Sequence, residues 1–207
     1  MSREDPPLSL QVAGVAGPAS HFDQLYAASN DPWNYGDSWY EQRKRAILMG
    51  ILPRPTFKAA YEPGCGNGEL TLALAPRCER LLASDFCQQA VDIARERTVH
   101  LPQVSVRRES LPEQWPALSS TSLEFELVVL SELCYYFDAM QLIEISALAV
   151  ASLTTGGHLL ACHWKKEFDD RLQPTRSMHG LLDRNGRLRR TACYEDDDFL
   201  LDLWEKH

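Results

Sequence analysis

The sequence predicts an α/β fold, a mostly parallel sheet of seven strands with helices on both faces and an antiparallel strand at the C-terminal end. Three observations carry this reading. Short apolar runs alternate with helical stretches from Pro53 onward; the glycine-rich turn Gly64-Cys65-Gly66-Asn67-Gly68 sits at a strand-to-helix junction; and the chain closes with two strand-like runs across Asp196-Asp197-Asp198.

Taken in order, residues 1–20 hold Pro6, Pro7, Pro18, Gly14 and Gly17 with no periodic apolar face, which predicts a disordered tail. Residues 21–52 are dense in aromatics and read as two helices separated by Asn30-Asp31-Pro32, a lid-like unit. Residues 53–207 form the main domain. Within it Phe57 to Tyr61 reads as strand 1, Glu69 to Ala75 as helix, Arg80 to Ser84 as strand 2 and Gln88 to His100 as helix. Val104 to Arg107 reads as strand 3 and Phe125 to Leu130 as strand 4. The amphipathic stretch Ala139 to Leu153 is closed by Thr154-Thr155-Gly156-Gly157, and His158 to Cys162 gives strand 5. Arg187 to Tyr194 and Phe199 to Glu205 supply the terminal pair.

Composition bounds the function. At 207 residues the chain is one or at most two domains, and 29 acidic against 21 basic residues leave a net charge of −8 that repels phosphate backbones and anionic lipid. Nucleic acid and membrane are therefore not expected as partners. No apolar run approaches the ~18 residues of a membrane span, and the acidic, Pro-bearing start does not read as a signal peptide, so a cytoplasmic location is expected. Cys65, Cys78, Cys87, Cys134, Cys162 and Cys193 are far apart with no C-x-x-C pair, which predicts buried reduced thiols, no disulfide framework and no metal site. No heptad seam marks an oligomer.

The glycine turn is the first chemical signal. Glycines at a strand-to-helix junction let the backbone turn sharply and approach a ligand, although a tight turn alone has the same composition. Glu62 at the strand end can reach a cationic or hydroxyl-bearing group, and Asp85 ends strand 2 about 20 residues further on, where an acid chelates ribose hydroxyls. The spacing is G-x-G-x-G with an acid before it, rather than the G-x-G-x-x-G of a pyrophosphate site, and no Gly-Lys-Ser/Thr follows for a Walker loop.

This loop resembles motif I (E-x-G-x-G-x-G) of the class I S-adenosylmethionine-dependent methyltransferases, and the terminal strand pair extends the likeness to their Rossmann-like seven-stranded sheet. The resemblance implies that Gly64, Cys65, Gly66 and Gly68 line the methionine moiety, that Asp85 with its neighbour Phe86 serves the ribose side, and that Glu109-Ser110-Leu111-Pro112 forms the adenine-side loop. Ser131 to Tyr136, after strand 4, stand where the fold presents substrate-side residues. More specific segments, Asp31-Pro32-Trp33-Asn34-Tyr35, Ser38-Trp39-Tyr40-Glu41-Gln42-Arg43-Lys44, Ser131-Glu132 with Tyr135-Tyr136 and the ending Asp198 to Glu205, resemble the nodulation protein S-like methyltransferases over His21 to Glu205. That family's namesake N-methylates the free amine of a chitooligosaccharide. The resemblance implies S-adenosylmethionine as cofactor, S-adenosylhomocysteine as product and a small-molecule or saccharide amine as acceptor.

Trp33 and Tyr40 read as lid aromatics over the cofactor, or as helix core; Arg43 reads as a fork donor to the methionine carboxylate, or as part of a solvated Arg-Lys-Arg face. An ammonium acceptor must lose a proton before it attacks. Glu132 is the first candidate base and His163 the second, with a helix-capping acid and a satisfied structural histidine as their alternatives. Tyr135 reads as a sugar-stacking or a packing side chain. The remaining functional alternatives are an O-methyltransferase on a small metabolite, a nicotinamide-dependent oxidoreductase and a non-catalytic S-adenosylmethionine-binding module.

Overall fold

The computed structural model describes residues 18–116 and 124–207. Strands β1 (Ala60–Pro63), β2 (Leu81–Asp85), β3 (Val104–Arg108), β4 (Phe125–Ser131), β5 (Leu153–Trp164), β6 (Leu188–Glu195) and β7 (Phe199–Lys206) form one sheet in the order β3-β2-β1-β4-β5-β7-β6. All neighbours are parallel except β7, which runs antiparallel to both β5 and β6. The helices are α1 (Pro18–Ala28), α2 (Trp39–Ile51), α3 (Glu69–Leu74), α4 (Gln88–Thr98), α5 (Ala139–Ser152) and α6 (Thr175–Asp183).

The strand order sets the place of the site. From β1 the chain winds outward to β2 and β3, then crosses back to lay β4 on the other side of β1. That reversal opens a crevice at the carboxyl ends of β1 and β4, the position where open α/β sheets bind ligands. The central strands are apolar on both faces: Leu159 and Ala161 of β5 join Tyr61, Trp115, Ile145 and Trp204, while Leu160 and Cys162 join Leu48, Phe57, Leu127 and Phe199. Each fully buried Leu, Ile or Phe among them contributes about 1.5–3 kcal/mol relative to exposure, so the crevice stands on a well-buried core.

Several boundaries differ from expectation. Strand 1 begins at Ala60, because Phe57 makes only an isolated bridge to Cys78 before the chain joins the sheet. The run Thr154-Thr155-Gly156-Gly157 belongs to β5 rather than to a helix stop; Phe125 pairs with Leu153, and an irregularity between Phe125 and Leu127 absorbs the extra residues. Helix α6 was not expected; it forms because Thr175, Met178, His179 and Leu182 lie on one buried face at helical spacing. The expected tail, 1–20, lies outside the described residues up to 17, and 18–20 open α1 with Pro18 at its first position. Five cysteines are buried and free, and Cys193 is exposed. Among the described residues no helix is long and apolar enough to cross a membrane.

Candidate active site

The turn between β1 and α3 is shaped by close approach. Gly64 and Gly68 hold φ of +69° and +82°, which a Cβ disfavours. A Cβ on Gly64 would stand 2.7 Å from Leu133 of the loop after β4, and one on Gly68 would stand 3.0 Å from the Cβ of Ala94 on α4. These two glycines thus let the turn nest against both neighbours. Asp85 then pins it from the side: one carboxylate oxygen accepts the Gly66 N–H at 3.0 Å and the other the Cys87 N–H at 3.0 Å. The first residue after β3 is tied in as well, since Glu109 N–H donates to the Asp85 carbonyl at 3.0 Å.

Glu62 is buried at the end of β1, where it accepts the Thr71 hydroxyl at 2.6 Å. Burial pushes its carboxyl up to about 8, against the lowering effect of that hydrogen bond. Burial likewise raises the Asp85 carboxyl, opposed by its backbone donors. Tyr26 of α1 reaches over the turn; its hydroxyl lies 2.9 Å from the place of a Gly66 Cβ and has no hydrogen-bond partner among the described residues.

Helix α2 supplies the opposite wall. Glu41, Lys44 and Leu48 recur at helical spacing and are buried, with Arg45 beside them on the same cleft-facing side. The Lys44 ammonium bridges two carboxylates, donating to Glu41 at 2.8 Å and to Glu132 at 2.6 Å. Burial alone would lower it, but Glu132 and Glu41 outweigh this and hold it well above the ordinary lysine value. Glu132 departs from β4 with φ +51°, unusual outside glycine, while its N–H still donates to Cys162 of β5 at 2.9 Å. Its second oxygen accepts the Tyr135 hydroxyl at 2.6 Å and the Trp164 N–H at 3.0 Å.

Of the residues singled out by sequence, Glu62, Gly64, Cys65, Gly66, Ser131 and Glu132 line one cleft between α2 and the strand ends. Gly68 lies behind it at the start of α3, Asp85 touches it through Gly66, and Tyr135 through Glu132. Phe86 meets Phe22 of α1 edge-on, and Trp33 packs on Tyr26 and Tyr35. Ser110 N–H donates to Gln114, and Leu111 packs against the core cluster under β4 and β5.

Three expectations are corrected. Arg43 does not reach the cleft; it is one residue out of phase on α2, where its guanidinium binds Asp196 at 2.5 Å and the Tyr194 hydroxyl. Tyr40 packs edge-on against Phe199 on the core under α2, the helix-core alternative rather than the lid. His163 is buried outside the cleft with both ring nitrogens engaged, by Cys134 N–H and by His179, so it presents no free nitrogen to an acceptor. The residues that sequence reasoning passed over are Lys44 and Arg45 in place of Arg43, together with Glu41 and Tyr26. The 41–44–48 spacing, with 45 beside it, is helical, but which face is buried is set by packing against the sheet.

A model of the family described as nodulation protein S (NodS) matches residues 22–160. The chain belongs to the NodS family. It is 34% identical over 114 residues to nodulation protein S of Bradyrhizobium diazoefficiens, covering 53% of this chain and 50% of that protein. To the Rhizobium tropici protein of the same name it is 30% identical over 135 residues, 64% of this chain and 55% of the relative. This NodS-family chain therefore spans about half the length of these curated relatives. Among solved structures, a Pseudomonas syringae protein described as a candidate methyltransferase is 41% identical with a TM-score of 0.70, covering 82% of this chain and 100% of that one. The N-methyltransferase NodS of Bradyrhizobium japonicum WM9, solved with S-adenosyl-L-homocysteine, shares the fold with a TM-score of 0.79 at 24% identity, covering 91% of this chain and 97% of that one.

Proposed function

We propose that this NodS-family chain is an S-adenosylmethionine-dependent N-methyltransferase acting on an amine of a small molecule or a chitooligosaccharide. The observation that carries the reading is the glycine turn pinned by Asp85 and flanked by the carboxyls of Glu62 and Glu132 in one cleft. The residues fit the cofactor. Gly64, Gly66 and Gly68 form a cradle that Cβ atoms would obstruct or strain, and the Tyr26 hydroxyl there has no partner among the described residues. Glu62 suits an ammonium group, Arg45 a carboxylate and Asp85 a ribose diol, with Phe86, Glu109, Ser110 and Leu111 on the adenine side. S-adenosylmethionine, when bound, supplies an electrophilic methyl group.

The chain's own residues then position the acceptor and receive its proton. Lys44 pairs with Glu132, and among the described residues the Glu132 oxygen it touches accepts no other donor, leaving a lone pair for the acceptor's ammonium proton. Residues 21–52 act as a lid, with Phe22, Tyr26, Trp33 and Tyr35 excluding water above the turn. The excess of acidic residues suits a cationic cofactor and acceptor, and the free cysteines fit a cytoplasmic setting. A nicotinamide-dependent oxidoreductase is not favoured, because the turn lacks the G-x-G-x-x-G spacing.

Two measurements test this. Titration calorimetry is expected to show S-adenosylhomocysteine binding, and methyl-labelled S-adenosylmethionine is expected to label deacetylated chitooligosaccharides or another amine in a screened set. Absence of binding removes the cofactor assignment; label transferred only to hydroxyl or carboxyl acceptors replaces N- with O-methylation.

A further inference from the structure

Behind the loop after β4, outside the cleft, runs a buried chain of polar side chains that the proposed reaction does not use. Asp202 of β7 is fully buried, with one oxygen 2.7 Å from Nδ1 of His179 on α6. Nε2 of His179 lies 3.1 Å from Nδ1 of His163 on β5, and Nε2 of His163 accepts the Cys134 N–H at 3.2 Å.

The direction of these bonds follows from their last member. A backbone N–H only donates, so Nε2 of His163 carries no proton. The His163 proton is then on Nδ1 and is donated to Nε2 of His179, which leaves the His179 proton on Nδ1, facing the Asp202 carboxylate. Both rings are neutral in this arrangement, and a second proton on His163 would set two donors against each other at Cys134. Burial, followed by the neighbouring His179, Lys44 and Arg171, pushes the His163 imidazole well below its ordinary value, in keeping with a neutral ring. The other Asp202 oxygen is held by Arg190 at 3.3 Å.

The relay ends where β4 leaves the sheet. Ser131 is the last residue of β4 paired with β5, opposite Cys162. Glu132 turns away at φ +51°, and two residues later the Cys134 N–H finds a side chain, His163, rather than a strand carbonyl. The His163 ring also packs edge-on against Tyr135, 5.6 Å between centroids, and the Tyr135 hydroxyl holds Glu132. The geometry points to Asp202, His179 and His163 as a positioning relay that fixes the backbone at Cys134 and thereby aims Glu132 into the cleft with Tyr135 bracing it from behind. This rests on the methyltransferase reading above, and none of the three residues touches the reacting groups.

The test uses the full chain. His163→Leu removes the acceptor for Cys134 N–H and is expected to lower kcat about ten- to a hundredfold, the scale of a displaced catalytic group, with S-adenosylhomocysteine affinity unchanged. His163→Gln, which offers a carbonyl oxygen near the place of Nε2, is expected to recover most of that loss. A Leu variant turning over at the wild-type rate, or a Gln variant as slow as Leu, overturns the proposal. Should His163→Leu fail to fold, nitrogen-resolved NMR of the imidazoles in the unaltered chain decides: both rings carrying their proton on Nδ1 near pH 7 supports the relay, and a proton on Nε2 of either ring overturns it. If the unaltered chain binds no S-adenosylhomocysteine, the functional reading itself falls, and the same spectrum still judges the relay.

Discussion

The loops after β1 and after β4 lie side by side along one cleft, with α2 as its opposite wall, but are held by different means. After β1 the shape is made by backbone: glycines in left-handed conformations, and Asp85 accepting two main-chain N–H groups. After β4 it is made mainly by side chains, the distant Lys44 of α2 and the buried histidines together with the nearby Tyr135, joined by the Trp164 main-chain N–H, converging on Glu132 and its neighbours. A backbone-made loop tolerates little change in residue size, whereas a side-chain-made one is adjustable, and in the proposed reaction the second is the half assigned to the acceptor.

The sharpest challenge to this division is Glu132→Gln. It is expected to slow methyl transfer by about 10²–10⁴, the usual contribution of a general base, while calorimetry finds S-adenosylhomocysteine binding preserved. Equal losses in both would make the two halves one unit. Lys44→Met comes next. It strands the buried carboxylate of Glu41 and the partly buried one of Glu132, and thermal or denaturant unfolding is expected to show a loss of up to about 3–5 kcal/mol, the range for breaking a buried ion pair. Pairing it with Glu41→Gln and Glu132→Gln recovers part of that loss if the charges are the cause.

On the backbone-made side, Gly68→Ala meets Ala94 at 3.0 Å with φ at +82°. A cost of about 1–3 kcal/mol in stability is expected from such strain, together with weaker S-adenosylhomocysteine binding. A test by pH rather than by packing concerns Glu62, whose folded-state carboxyl sits at about 8, above the ~4.3 of an unfolded glutamate. Below pH ~4.3 both states are protonated. As pH rises from there towards about 8 the unfolded chain releases this proton first, so stability falls, and Glu62→Gln is expected to flatten that fall in unfolding curves measured across the window. An ammonium bound beside Glu62 would also expel its proton near pH 7, seen as buffer-dependent binding heat that Glu62→Gln abolishes.

How much of the site was legible follows the same division. Gly64, Gly66, Gly68, Glu62 and Asp85 could be read because a strand, a turn and a helix within a short stretch of chain constrain one another locally. Glu132 was legible from its place after β4, although not the fact that Lys44 holds it. Arg43 was preferred over Lys44 and Arg45 because a run of three cations gives no helical phase; that phase is set by which side of α2 packs against the sheet. His163 drew notice as a histidine at a strand end, yet its partners His179 and Asp202 lie 16 and 39 residues away on elements the pattern did not join.

By itself, the sequence determined the α/β alternation, the glycine turn with its two acids and membership of a methyltransferase-like family. The first two rest on periodicity and on contacts between near neighbours in the chain, and the family rests on the resemblance of particular segments, residues 31–35 and 38–44 among them, to known sequences. The tertiary structure alone decided which face of α2 meets the cleft, how Glu132 is held, and that His163 belongs to a buried relay rather than to the reacting groups. Those arrangements depend on packing between elements far apart in sequence, where burial converts ordinary polar side chains into obligatory partners.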